Sequence, residues 1–209
     1  MERTRYALYQ TGAPLPARGG QEFLLLSLAS AIMAGMWYLT QQESRVWSEG
    51  HGFRMDSSGY PVIGERKHSV VTPLSGVNWS KLTGLSEYIA SYLVPFDKCL
   101  LWVTLWGVWG SSENLHLFYR LRESYGEHRQ LADAPGHLFL KHESSDLATF
   151  IQLALIFGWD FYLLTSPTYQ TAFVSHDEYI QFCTDNAEAA HEARHCLDAD
   201  PGTPLTEQK

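Results

Sequence analysis

From residue 78 onward the chain alternates between two hydrophobic rhythms. Leu82, Leu85, Ile89, Tyr92 and Leu93 recur every three or four positions, which predicts a helix over 79–93, capped by Asn78 and closed by Pro95. The next segment, Cys99-Leu-Leu-Trp-Val-Thr-Leu-Trp106, is almost wholly apolar and reads as a strand buried on both faces. A second helix follows, capped by Ser111 or Ser112 and stopped by Gly126, with Leu115, Phe118, Tyr119, Arg122 and Tyr125 on one side. Gly136 to Lys141 reads as a short strand. A third helix, capped by Ser144 or Ser145, carries Leu147, Phe150, Ile151, Ala154 and Leu155 on one face and ends at Gly158. Strands over 160–165 and 170–175, joined by the turn Ser166-Pro167-Thr168, predict a hairpin. A short helix is expected over 177–183 and a polar, Ala-rich one over 186–196.

This order predicts an α/β fold: a small mixed sheet with βαβ crossovers and a C-terminal antiparallel hairpin, helices packed on the sheet. The strands at 99–106 and 137–141 are expected to be parallel neighbours. Trp102 and Trp106 share strand parity and are expected on one face.

The N-terminal third is less regular. Residues 1–20 end in Pro and Gly and read as an extended arm. Phe23 to Leu39 carries no charge over 17 residues. It reads as a buried or partner-covered helix within 21–44; a membrane anchor is the first alternative, since spanning needs about 20 apolar residues, and a cleaved leader the second. Residues 48–76 are rich in Gly and Pro and read as a long irregular stretch with short strands at 52–55 and 69–72. The expected organisation is therefore an arm (1–20), a single domain (21–196, regular over 78–184) and a flexible tail (197–209).

Composition narrows the function classes. The 209 residues carry a formal net charge of −8, which argues against a nucleic-acid binder, because that function needs a basic stripe. The same charge, with 7 Trp, 11 Tyr and 10 Phe, suits a surface that meets a basic protein. Cys99, Cys183 and Cys196 have no framework spacing, which points to a reducing, cytoplasmic setting.

Three constellations could carry chemistry. His191-Glu192-Ala193-Arg194-His195 matches the H-E-x-x-H zinc pattern, in which two His one turn apart bind metal and Glu is the base. Its flanks are Ala and charges, so a solvated helix surface is the expected setting. A third ligand would have to come from Asp198 or Asp200. Secondly, Trp109, Ser111, Ser112, Glu113 and Asn114 would meet His142, Glu143, Ser144 and Ser145 if the two central strands were parallel, since both would end on one edge. His176, in Ser175-His176-Asp177-Glu178, would stand at the rim, where it could pair with His142 on a metal. P-loop, dinucleotide and nucleophile-elbow patterns are missing from the sequence. The expectation is a non-enzymatic protein-binding module (inhibitor, immunity-type or adaptor) that caps a basic partner and needs no cofactor. The alternative is a metal-dependent hydrolase, with zinc as its cofactor, using His191, Glu192 and His195, or His142, Glu143 and His176.

Overall fold

Helical periodicity in the sequence becomes helix where the apolar stripe meets a sheet. The computed structural model describes residues 36–74, 79–107, 115–167 and 170–195. Their elements are β1 (Trp37–Leu39), α1 (Gln41–Gly50), β2 (His68–Pro73), α2 (Trp79–Tyr92), β3 (Lys98–Leu105), α3 (His116–Ser124), β4 (Gly136–Leu140), α4 (Ser144–Ile156), β5 (Asp160–Ser166), β6 (Gln170–Ser175), β7 (Tyr179–Thr184) and α5 (Ala187–Arg194). The arm (1–20), most of the apolar segment (23–35) and the tail (197–209) lie outside the described residues, as do Asn78 and Cys196. No helix among the described residues is long and apolar enough to cross a membrane.

The expected α/β fold is present, with helices on a seven-stranded sheet in the order β1-β4-β3-β5-β6-β7-β2. Every neighbouring pair is antiparallel, which corrects the mixed sheet and the parallel pairing of β3 with β4. After α3 the chain turns at Gly126 and returns beside the helix, where Ala134 O accepts a hydrogen bond from Arg122 Nη2 at 2.8 Å. Gly136 then pairs with Trp102, near the end of β3, so the connection leaves and re-enters the sheet at one end. Two crossovers do join strands of like direction. The chain runs from β4 through α4 to β5, with β3 lying between those strands, and from β2 through α2 to β3, with β7, β6 and β5 between. The 160–165 and 170–175 hairpin forms as expected.

Three further expectations are corrected. The segment 177–183 is turn and then strand, not helix: after the turn at 176–178, β7 continues the hairpin into a meander. The end of the apolar segment is β1, and the helix starts only at Gln41, after Thr40 accepts the Glu43 amide while Glu43 caps the Thr40 N–H. Trp102 and Trp106 face opposite ways, because a bulge between Val103 and Leu105 reverses the parity of the strand's last residues.

The sheet's two faces differ. On one, α2, α4 and their neighbours bury Leu101, Val103, Phe139, Phe161, Leu163, Phe182 and the helix stripe Leu147, Phe150, Ile151 and Ala154. Truncating a buried Phe such as Phe150 costs about 3–5 kcal/mol. The other face is covered at β4, β3 and β5 by α1 and the irregular segment that follows it, which bring Trp47, Phe53, Met55 and Ile63 onto Leu100, Trp102, Leu138 and Leu164. Trp102 Nε1 is satisfied there by Gln41 Oε1 at 3.1 Å.

Candidate partner-binding face

Strand alternation decides which side chains reach the second face over β5, β6 and β7. Phe161, Leu163, Ala172, Val174, Ile180 and Phe182 turn toward the helices. Tyr162, Phe173 and Tyr179 therefore turn the other way and are only partly buried. Tyr60 joins them from the loop before β2. That loop is tied by a Met55–Pro61 bridge, and Asp56 Oδ1 accepts the amides of Ser58 and Tyr60 at 2.8 and 3.0 Å. The four rings form a row: Tyr60 to Tyr162 at 6.5 Å between centroids, Tyr162 to Phe173 at 4.6 Å, and Phe173 to Tyr179 at 6.1 Å. Beyond it, on edge strand β2, Val71 is 60% exposed on the same face.

Acidic groups border this row at the end of the sheet where β3 and β6 finish. Asp160 begins β5, while Asp177 and Glu178 lie in the β6–β7 turn. Burial first, then the charges of Asp56 and Asp160, push the Tyr162 phenol up to about 12. Asp160 Oδ1 accepts both the backbone N–H of His176 at 2.5 Å and its Nδ1 at 2.8 Å. Asp177 stands 3.6 Å from the other ring nitrogen. The hydrogen bond to Asp160, reinforced by the two carboxylate charges, raises the His176 pKa. Glu178 sits at φ 61°, in the left-handed region, at the third position of this three-residue turn.

A different polar cluster is buried between α3, β1 and β4. Arg122 is fully buried with its guanidinium over the Tyr38 ring, 5.1 Å from the centroid. Glu127 beside it is held by Arg129 through three side-chain contacts and one backbone N–H. Burial and the nearby Arg122 charge keep His137 neutral, well below its ordinary pKa, within the rings of Tyr38, Phe118 and Phe150. This cluster ties β1 and α3 to the sheet.

The expected site divides. Trp109, Ser111, Ser112, Glu113 and Asn114 lie outside the described residues. His142, Glu143, Ser144 and Ser145 follow β4 at the end of the sheet where β3 begins, opposite the end that carries His176. Antiparallel pairing is the cause, and it removes the convergence that the parallel arrangement required, along with any shared metal between His142 and His176. Glu143 is moreover buried, its oxygens accepting the amides of Met36 at 2.6 Å and Leu140 at 2.7 Å, so its charge is used internally. His191 and Glu192 on α5 and His195 at its C-cap are exposed, with the two imidazole centroids 5.2 Å apart, while Ala189, Ala190 and Ala193 face the core. No group of three metal-ligating side chains is assembled among the described residues. Reading 177–183 as helix hides the parity of Tyr179, and with it the aromatic row. The period-two alternation of β5, β6 and β7 is the signal that finds it. No family model, curated protein or solved structure matches the chain.

Proposed function

We propose that the protein is a non-enzymatic protein-binding module, of the inhibitor, immunity-type or adaptor kind, acting in the cytoplasm. Its half-uncovered sheet face takes a basic segment of another protein. One observation carries this reading: Tyr60, Tyr162, Phe173 and Tyr179 form an accessible aromatic row bordered by Asp56, Asp160, Asp177 and Glu178. Aromatic faces attract guanidinium and ammonium groups, by about 0.5–1 kcal/mol each at exposed sites. Carboxylates beside them add long-range attraction and favour positive partners. Glu178 supports the same reading. A left-handed backbone costs a non-glycine residue about 1–2 kcal/mol, and Gly is the usual occupant of that turn position, so the acid stands there against local preference. The buried free thiols Cys99 and Cys183 suit a reducing compartment.

The test uses a hexa-arginine peptide and titration calorimetry at low and high salt. Binding should weaken as salt rises, and Phe173→Ala should weaken it about three- to fivefold, as loss of one exposed cation–π contact implies. Glu178→Gly should stabilise the fold by about 1 kcal/mol while weakening the peptide. Peptide affinity untouched by Phe173→Ala and by salt would sink the proposal.

A further inference from the structure

The aromatic face has a titratable group built into its acidic border. His176 is partly exposed, with 24% of its side-chain surface accessible, and it lies in the turn between β6 and β7. Two carboxylates face it: Asp160 from the start of β5, 2.8 Å from Nδ1, and Asp177 from its own turn, 3.6 Å from Nε2. Asp160 is also fixed by the His176 backbone N–H, so it stays in place whether or not the ring is charged.

We propose that His176 is a pH gate on this face: its imidazolium occupies the charge of Asp160 and Asp177, and loss of the proton releases that charge to a basic partner. The gate rests on the docking reading given above. Neutral His176 still donates Nδ1–H to Asp160, so the carboxylate keeps its geometry and loses only its neutralising cation. Attraction for a cationic segment therefore grows as pH rises. Histidine is the side chain whose charge changes in the physiological range, and the Asp160 contact moves that change upward, toward neutral pH.

Arginine stays protonated throughout this range, so hexa-arginine isolates the protein's own titration. Its dissociation constant is measured for the wild type, His176→Gln and His176→Arg at several values from about pH 6 to pH 8.5. One unit of charge at the border should tighten wild-type binding about three- to tenfold as pH rises. His176→Gln should bind at the high-pH level throughout. His176→Arg, a permanent cation, should remain at the low-pH level throughout, which keeps the test decisive if the Gln variant folds poorly. Equal pH dependence in wild type and both variants overturns the gate alone, as does wild-type binding that weakens with rising pH. Failure of the peptide to bind at every pH overturns the docking reading and the gate with it.

Discussion

Gly136 is the point where α1 comes down onto the sheet, and its lack of a side chain is what permits the approach. A Cβ there would press on the buried Ser44 hydroxyl, and would stand 3.0 Å from the Leu39 Cβ and 3.2 Å from the Leu39 carbonyl oxygen. None of these is the free end of a flexible chain, so backbone or helix must shift. Gly136→Ala should therefore destabilise the fold by about 1–3 kcal/mol, the usual cost of overpacking. Urea unfolding monitored by Trp fluorescence reads this directly, and an unchanged midpoint would contradict the close packing of α1 on β4. This requirement was invisible in the sequence, where Gly136 reads only as the start of a strand. Residue-scale chemistry was partly legible: Ser175-His176-Asp177-Glu178 stood out as a polar group after a strand. Its true partner, Asp160, comes from the neighbouring strand and could be named only once β5 and β6 were paired.

At the scale of elements, legibility follows how local each signal is. Helices α2, α3 and α4 are set by their own apolar stripes, and Gly126 and Gly158 close the last two with φ of 87° and 64°. Strand β7 has an equally clear alternation, Ile180 and Phe182 against Tyr179 and Gln181, yet the acid-rich Ser-His-Asp-Glu before it resembles a capped helix start. The direction of β4 is not local at all, since it depends on whether the chain returns along α3 or crosses the sheet. Helix α5 shows how a motif and its setting can part. Only Ala189, Ala190 and Ala193 contact the core, and the H-E-x-x-H side chains lie on the outer surface. Replacing His191 and His195 together by Ala should alter stability by no more than about 0.5 kcal/mol, as for other exposed positions. Thermal unfolding with and without zinc provides the measurement. A large loss of stability, or a zinc-dependent rise in Tm that the double variant abolishes, would return this helix to the status of a metal site.

For the whole molecule, two histidines of opposite electrostatic setting shape stability against pH. His137 is fully buried and its pKa lies well below the ordinary 6.5, so between the two values the unfolded chain binds a proton that the folded protein does not. Its effect is to remove stability as pH falls below about 6.5. His176 is shifted upward by Asp160, so its contribution is fully present below the unfolded value and is lost as pH rises through the folded one. Hydrogen bonds from Lys67 and Arg129 lower the carboxyl pKa values of Asp185 and Glu127, the latter against the opposing effect of burial; these groups act at lower pH, where protonation removes their contribution. The combined expectation is a stability maximum at about pH 6.5, with His137 setting the fall on the acid side and His176 the fall on the alkaline side. The acid limb should approach about 1.4 kcal/mol per pH unit, the slope for one proton. His137→Phe keeps an aromatic ring among Tyr38, Phe118 and Phe150 while removing the titration. That variant should flatten the limb between about pH 6.5 and pH 5, whatever its effect on stability at neutral pH. Urea midpoints across this range decide the matter. An acid limb of equal slope in wild type and His137→Phe would place the proton uptake elsewhere and remove the burial of a neutral His137 as its cause.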